Sequence, residues 1–189
     1  TLAHMEVSLG TRRIMTADDM RRALVRVSHE IVEKHGGAEG LAFVGIEHRG
    51  PAIARRLAQA IEAREGVAIP VAALDVTPYR DDRDGAIDPD AASVIPAQQL
   101  RPFDPAVTTV VLVDDVLYTG RTARAAMDAL MDRGRPAAVR LVVLIDRGHR
   151  ELPIRPDHVG KNVPTARSER VETRLREDGA AQDEVVLLG

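Results

Sequence analysis

The sequence of 189 residues contains no cysteine and no tryptophan, and only two tyrosines and two phenylalanines. Without cysteine it can form neither a disulfide framework nor a thiolate site for zinc or an iron–sulfur cluster, so we expect a cytoplasmic protein. No apolar run approaches the roughly 18 residues that a membrane span requires, which predicts no membrane partner. Residues 1–4 are interpreted as possible vector residue, and residues 5–189 as a single domain.

Lysine is also scarce, because 24 of the 26 basic residues are arginine, against 29 acidic residues. Taken as a total, the net charge of −3 argues against a nucleic-acid partner. A total does not describe any one face, however, and arginine binds phosphate in a planar bidentate geometry that lysine lacks. A GC-rich genome would produce the same excess of arginine, so the composition leaves nucleic-acid binding open.

The apolar pattern predicts helices that alternate with buried strands. Helices are predicted from Thr16 to the glycines at 36–37, from Pro51 to about Arg64, and over about 122–133. Strands are predicted at 41–46, 67–76, 107–113, 139–145, 171–176 and 185–188. Residues 77–105 are rich in proline and charge, which predicts a long mobile loop. This order predicts an α/β fold with a mainly parallel sheet flanked by helices, whose ligand site lies at the carboxyl ends of the strands.

Residues 110–122, VVLVDDVLYTGRT, carry the clearest chemical signal. A buried strand ends with Asp114 and Asp115, and a turn that contains Gly120 leads into a helix near Thr122. Free backbone N–H groups at such a turn and helix start bind a phosphate monoester, with help from threonine hydroxyls. The two carboxylates accept hydrogen bonds from hydroxyl groups such as those of a ribose diol. The segment therefore predicts a ribose 5-phosphate site.

Other protein classes also place two acids after a strand. P-loop nucleotidases require G-x-x-x-x-G-K-[ST] and dinucleotide folds require G-x-G-x-x-G, and neither motif is present. Receiver domains carry their paired acids after the first strand, whereas two strands and two helices precede them here. A helix-capping turn with solvated acids remains the ordinary structural alternative.

The same segment resembles the phosphoribosyl pyrophosphate (PRPP) motif of the type I phosphoribosyltransferases. Residues 74–82, 146–155 and 159–164 are similar to the branch of this family that combines attenuation of pyrimidine operons with uracil phosphoribosyltransferase activity. The similarity extends over residues 16–175. It implies the type I phosphoribosyltransferase fold, with a mobile loop at 77–105 and a small base-binding hood and tail over residues 146–189.

The resemblance implies the reaction uracil + PRPP = UMP + diphosphate, with Mg²⁺ bound mainly through PRPP rather than in a protein cage. Asp114 and Asp115 would hold the ribose diol near the positive charge that develops at C1, and Arg49 and the loop residue Arg80 would bind the diphosphate. These four residues are the predicted catalytic set. The substrate-binding set adds His48, Gly50, Val116, Leu117, Tyr118, Thr119, Gly120, Arg121, Thr122, Asp146 and Arg147, of which the last two would read the base. His48 departs from the threonine usual in the family.

The resemblance also implies a basic surface that binds the leader RNA of a pyrimidine operon when UMP occupies the active site. The predicted RNA-binding residues are Arg22, Arg26 and His29 on the first helix, with Arg147, Arg150, Arg155 and Lys161. A solvated polar helix face is the ordinary alternative for the helical stripe. Val25 departs from the threonine that relatives often have there. The family forms homodimers and larger even-numbered assemblies, so we expect such an assembly here.

Two alternative functions stay open from the sequence. One is an RNA-binding regulator with vestigial transferase activity, and the other is a salvage phosphoribosyltransferase for another base. The intact set of Asp114, Asp115, Arg49 and Arg80 favours the active, bifunctional protein.

Overall fold

The computed structural model describes residues 10–79 and 108–189. Within these residues the chain forms eight strands and three α-helices. The helices are α1 (Ala17–His35), α2 (Gly50–Glu65) and α3 (Arg121–Met131). The strands are β1 (Thr11–Met15), β2 (Leu41–Ile46), β3 (Val71–Leu74), β4 (Thr109–Leu117), β5 (Ala138–Asp146), β6 (His158–Asn162), β7 (Arg170–Arg174) and β8 (Glu184–Leu188).

Five of the strands form one parallel sheet in the order β3-β2-β4-β5-β6. Side chains of β4 alternate between two cores: Val111 and Val113 pack with the α1 and α2 side, whereas Val110 and Leu112 pack with the α3 side. A strand covered on both faces must be apolar at nearly every position, as β4 is. The predicted α/β fold with a mainly parallel sheet is therefore confirmed.

The other three strands form a small antiparallel sheet in the order β1-β8-β7. The apolar pattern predicts β7 and β8 but not β1. Strand β1 carries two arginines and is mostly exposed, so it has no apolar alternation that could reveal it. Its pairing with β8 depends on residues at the far end of the chain, which local sequence patterns do not report.

Strand β6 was also missed, since its sequence HVGKN is polar and contains a glycine. It lies at the edge of the parallel sheet, where one neighbour is enough and an apolar pattern is not required. The strand predicted at 67–76 is observed only as the shorter β3, Val71–Leu74. It begins after Pro70, which has no N–H to donate. The predicted helices agree with α1, α2 and α3 to within a few residues at each end.

Helix α1 begins where the sequence predicts. The Thr16 hydroxyl accepts from the Asp19 N–H at 3.2 Å, and Asp19 accepts in return from the Thr16 N–H at 2.9 Å. The Asp19 carboxylate also accepts from the Thr16 hydroxyl at 2.7 Å, and this bond, the bond from the Thr16 N–H and one from Arg22 lower the pKa of Asp19 to about 2. Gly36 ends the helix in the left-handed conformation. This helix packs beside β6 and carries the predicted basic stripe on its outer face.

Of the predicted mobile loop, residues 77–79 form a short 3-10 turn, and the remainder, including Arg80, lies outside the described residues. No helix in the described ranges is both long enough and apolar enough to cross a bilayer.

Candidate active site

Three loops meet at the carboxyl edge of the parallel sheet, following β2, β4 and β5. The register pairs Gly45 of β2 with Val113 of β4, and Leu117 of β4 with Asp146 of β5. Because the three strands run in the same direction and are neighbours, the residues that follow them are brought to one place. The predicted catalytic and substrate-binding residues of the described chain come from these loops and from the last residues of β4 and β5.

The turn between β2 and α2 lies directly against β4 because two glycines remove the side chains between them. A Cβ on Gly45 would lie 2.2 Å from the Pro51 nitrogen, and a Cβ on Gly50 would lie 2.3 Å from the Val113 carbonyl oxygen. Neither distance is possible for a real side chain. This close approach places Arg49 Nη1 3.8 Å from Asp115 Oδ2. An ion pair therefore joins the turn that follows β2 to the carboxyl end of β4.

The two acids at the end of β4 are held by the backbone rather than by salt bridges alone. Asp114 is buried, and its Oδ1 accepts from the Asp115 N–H at 2.9 Å. Asp115 Oδ1 accepts from the Val116 N–H at the same distance. Each carboxylate is thus fixed in direction, and a carboxylate oxygen can accept hydrogen bonds from a ligand hydroxyl or bind a cation. The side chain of Asp115 is 18% exposed, so it faces the open edge of the site.

Residues 118–120 form the turn into α3. Gly120 has φ 95° and is the N-cap, so the N-cap residue itself has no side chain that could accept from the first turn of α3. Thr119 Oγ1 accepts from the Arg121 N–H at 3.3 Å, and the half-buried Thr122 follows. A helix start of this kind presents backbone N–H groups and a positive dipole end, which together suit a phosphate group.

The segment after β5 clamps this turn from the other side. The Glu151 and Leu152 N–H groups both donate to the Thr119 carbonyl, at 2.9 and 3.1 Å, and Arg121 Nε donates to Glu151 at 3.0 Å. Arg150 Nη1 donates to the Tyr118 carbonyl at 2.8 Å. Residues 118–121 therefore have a defined conformation before any ligand binds.

Arg147 packs its guanidinium 4.1 Å from the centre of the Tyr118 ring, and His149 meets the same ring edge-on at 5.9 Å between centroids. Arg147 is 6% exposed and donates to Thr165 and to the Ala166 carbonyl, each at 3.0 Å. Asp146 accepts from the Gly148 N–H at 3.0 Å and pairs with Arg150. The two predicted base-reading residues thus line the site, with their side chains engaged in the loop itself.

The remaining predicted substrate residues lie in the same turns. His48 is exposed next to Arg49, Gly50 is buried beneath the turn, Val116 is half-buried and Leu117 is buried. Arg80 is outside the described residues, so its predicted place beside the diphosphate stays a prediction.

The predicted RNA-binding residues divide into an outer and an inner group. Arg22 pairs with Asp18 and Asp19, and Arg26 Nη2 donates to the Val159 and Gly160 carbonyls at 2.9 and 2.7 Å. Lys161 Nζ donates to the Ile14 carbonyl at 2.7 Å. These contacts bring the α1 stripe, with the exposed His29, beside β6, and the exposed Arg155 lies at the start of the same edge.

Arg147 and Arg150 form the inner group, whose guanidiniums are hydrogen-bonded to neighbouring loop carbonyls. Arg147 is buried, and the half-buried Arg150 donates to the carbonyls of Tyr118 and Ile154 and to Asp146. Arg150 and Arg155 both line a groove of about 630 Å³ between the 146–156 segment and β6.

Sequence reasoning missed Asp178, whose Oδ2 lies 3.5 Å from Arg49 Nε. Asp178 ends the 3-10 turn Arg176–Asp178 between β7 and β8, and therefore belongs to the smaller sheet. No local signal could have found it, because its proximity to Arg49 depends on how the two sheets pack.

Comparisons with known proteins agree with this arrangement. The model of the phosphoribosyl transferase domain matches residues 13–172. A bifunctional protein PyrR from Roseiflexus sp. (strain RS-1) is 56% identical over 180 residues, covering 95% of this chain and 96% of that protein. A second bifunctional protein PyrR, from Chloroflexus aurantiacus, is 54% identical over 182 residues, covering 94% and 96%.

Solved structures show the fold at much lower identity. A hypoxanthine phosphoribosyltransferase from Staphylococcus aureus superposes with a TM-score of 0.69 at 19% identity, covering 100% of this chain and 98% of that chain. The Trypanosoma cruzi enzyme in complex with the product IMP gives 0.67 at 18% identity, covering 95% and 90%. The chain therefore belongs to the phosphoribosyl transferase family and, within it, to the bifunctional PyrR proteins.

Proposed function

We propose that this protein transfers the phosphoribosyl group of PRPP to uracil, giving UMP and diphosphate, and that with UMP bound it attenuates pyrimidine genes by binding their leader RNA. One observation carries the transferase half. The backbone-held pair Asp114 and Asp115 lies between the start of α3 and Arg49, which supplies one group for each part of PRPP. The family name of the relatives, a bifunctional protein, supports the combination.

Each part of PRPP has a partner of suitable chemistry. The 5-phosphate suits the uncapped start of α3 with Thr119, Gly120, Arg121 and Thr122. The ribose hydroxyls suit Asp114 and Asp115, whose charge also stabilises the oxocarbenium character that develops at C1 when the bond to diphosphate breaks. Arg49 suits the departing diphosphate, since its guanidinium can exchange Asp115 for phosphate oxygens. We assign Arg80 to the same diphosphate from the family resemblance.

Magnesium fits this donor set, because carboxylate and phosphate oxygens are the ligands it prefers. No group of three or more histidine, aspartate or glutamate side chains in the described part of the chain is arranged to enclose a metal. We propose that Mg²⁺ would be held mainly through PRPP and water beside Asp114 and Asp115, where it would supply positive charge for the leaving diphosphate.

The base is proposed to lie against the segment that follows β5. Asp146 and the loop to Arg155 line the groove there, and backbone groups of this segment are fixed by their bonds to Tyr118 and Thr119. A rigid segment can discriminate uracil from larger purines by shape and by hydrogen bonds to its carbonyls. The hood in this proposal comprises that segment and the small sheet, so it includes β1 in addition to residues 146–189.

The proposed RNA surface consists of the outer group Arg22, Arg26, His29, Arg155 and Lys161. These residues are exposed and lie on α1, β6 and the adjoining loop. Arginine can pair with phosphate or stack on unpaired bases, and the scarcity of aromatic residues favours recognition through arginine and RNA shape. Arg147 and Arg150, the other two residues of the predicted set, are proposed to act from the adjoining loop, where their guanidiniums are hydrogen-bonded to loop carbonyls. A homodimer or larger even-numbered assembly would bring two such surfaces together.

Two measurements on one preparation test both halves. Formation of the nucleotide and release of diphosphate from PRPP are measured with Mg²⁺ and uracil, and then with hypoxanthine, guanine or orotate in place of uracil. We expect turnover with uracil and less than about one hundredth of that rate with the other bases, because a site built to hydrogen-bond one base rejects others strongly. Preference for another base would replace the proposal with the salvage alternative.

The second measurement is binding of the pyrimidine leader RNA, with and without UMP. Binding that strengthens with UMP supports the regulator, since a ligand that favours one state shifts the equilibrium by its differential affinity. RNA binding without any uracil turnover would identify a regulator with vestigial catalysis. Turnover without RNA binding at any UMP concentration would reduce the proposal to its transferase half.

A further inference from the structure

Arg49 is flanked by carboxylates from both sheets of the molecule. Its Nη1 lies 3.8 Å from Asp115 Oδ2, at the carboxyl edge of the parallel sheet, and its Nε lies 3.5 Å from Asp178 Oδ2, in the turn between β7 and β8. The pKa of the Glu172 carboxyl of β7 is lowered first by a hydrogen bond from Arg174, then by the charges of Arg174 and Arg170, and least by the charge of Arg49. A single arginine thus connects the proposed catalytic acid to the small sheet.

The contacts of Arg49 with Asp115 and with Asp178 use different nitrogens of its guanidinium. Arg49 Nε is buried and makes no hydrogen bond within the described residues, although Asp178 faces it. Asp178 thus lies on the Nε side of the guanidinium, and Asp115 lies on the side of the terminal nitrogen Nη1, which leaves the edge formed by the two terminal nitrogens away from Asp178. That edge is the one a diphosphate oxygen pair can meet in a bidentate manner.

Asp178 is itself held in a rigid turn. The Asp178 and Ala180 N–H groups donate to the Leu175 carbonyl at 3.0 and 3.1 Å. The flanking residues Glu177 and Asp183 both pair with Arg56 of α2, at 2.6 and 2.9 Å. Arg56 lies two helical turns after Arg49 on the same helix, so α2 anchors the turn that presents Asp178 to Arg49.

We propose that Asp178 is a positioning residue for the diphosphate: it keeps the Arg49 guanidinium oriented into the site when the ligand displaces Asp115. This inference rests on the proposed transferase function and deepens it. Removal of such a carboxylate changes the affinity for diphosphate in the opposite direction from removal of an ordinary neighbouring acid. A carboxylate that merely lies near a diphosphate repels it, so its removal strengthens binding, whereas removal of a positioning carboxylate weakens binding.

The test measures binding of magnesium diphosphate by calorimetry to the full chain and to Asp178→Asn. We expect about fivefold weaker binding in the variant, the size typical of a partly exposed ion pair, with a similar rise in KM for PRPP and little change in kcat. Asp178→Glu restores much of the affinity, and Asp178→Ala repeats the loss. Asp128→Asn, which removes the same charge from the exposed face of α3, leaves binding unchanged.

A double-mutant cycle with Arg49→Gln completes the test. If Asp178 acts through Arg49, Asp178→Asn adds no further loss in the Arg49→Gln background. Unchanged or tighter binding by Asp178→Asn overturns the inference while the proposed function stands. Failure of the unmodified protein to bind magnesium diphosphate and to form UMP overturns the proposed function instead.

Discussion

The carboxyl edge of the parallel sheet and the proposed RNA surface use charged residues in opposite ways. At the edge, Asp114 and Asp115 are fixed by backbone N–H groups, and glycine lets the neighbouring turn approach within contact distance. On the surface, Arg22 and Lys161 extend through solvent on long side chains to their partners. The first arrangement fixes individual atoms, whereas the second supplies charge over an area. Single substitutions should therefore be severe at the edge and mild on the surface.

The largest effect is expected for Asp115→Asn, which keeps the size of the side chain and removes its charge. UMP synthesis should fall by about a hundredfold or more, because a preorganised charge at the reacting centre is lost. Steady-state rates with uracil and PRPP measure this effect, and circular dichroism checks that the fold is retained. Glu62→Gln, an exposed position on α2, serves as the matched control and should keep the full rate. Undiminished turnover in Asp115→Asn would remove the acid pair from the mechanism.

Gly50→Ala addresses the backbone construction of the edge. The added Cβ would lie 2.3 Å from the Val113 carbonyl oxygen, so the β2–α2 turn must move away from β4. We expect the free energy of unfolding in urea to drop by about 1–3 kcal/mol, as for other overpacked sites, together with a loss of activity. Gly10→Ala is the control, because nothing lies within 4 Å of its added Cβ. Equal free energies of unfolding for the two variants would mean that the β2–α2 turn accommodates an added Cβ as easily as the open position at Gly10.

Arg155→Ala combined with Lys161→Ala tests the surface side of the comparison. RNA binding should weaken about tenfold, and the slope of log affinity against log salt should become shallower by about 1.4, since two phosphate contacts to single-stranded RNA are lost. Transferase activity should change little, because neither side chain belongs to the edge. The control is Arg133→Ala with Arg135→Ala, two exposed arginines after α3. Equal loss of both activities would place Arg155 or Lys161 in the catalytic machinery.

The smallest effect is expected from His158, beneath the RNA surface. Burial lowers the pKa of His158. The nearby carboxylates of Glu30 and Asp157 oppose this shift, and the charge of Lys34 adds to it. The folded protein then binds this proton less readily than the unfolded chain, so stability is complete above the ordinary pKa of 6.5 and declines as the pH falls below it. We expect Tm to drop less in His158→Gln than in the unmodified protein between about pH 7.5 and 5.5. If Tm changed equally with pH in both proteins, His158 would not contribute to the pH dependence of stability.

The sequence predicted the parts of the molecule that local patterns control. Strand β4 is apolar because both of its faces are covered, and α1 begins at a capping box that is visible in the sequence. Both elements were therefore predicted correctly. The acid pair with the turn that follows it identified the family, which the comparisons confirm. The predicted roles of individual residues in that site stay predictions until the substitutions are measured.

What the sequence did not predict depends on contacts between distant segments. Strands β1 and β6 have polar sequences and become strands because β8 and β5 offer them hydrogen bonds. Arginine is usually exposed, so nothing local indicates that Arg147 is buried against Tyr118 or that Arg150 donates to loop carbonyls. Asp178 approaches Arg49 only when both sheets are in place.

The order of strands in the small sheet has a consequence for biosynthesis. Strand β8 lies at its centre, yet it follows β1 and β7 along the chain, so neither outer strand has a partner until β8 has emerged from the ribosome. The parallel sheet needs nothing beyond β6 and can form earlier, in keeping with folding from the N-terminal side during synthesis. The turn that carries Asp178 then closes over Arg49 as one of the last events, so a nascent chain can have a nearly complete phosphate site before its diphosphate arginine is held in place.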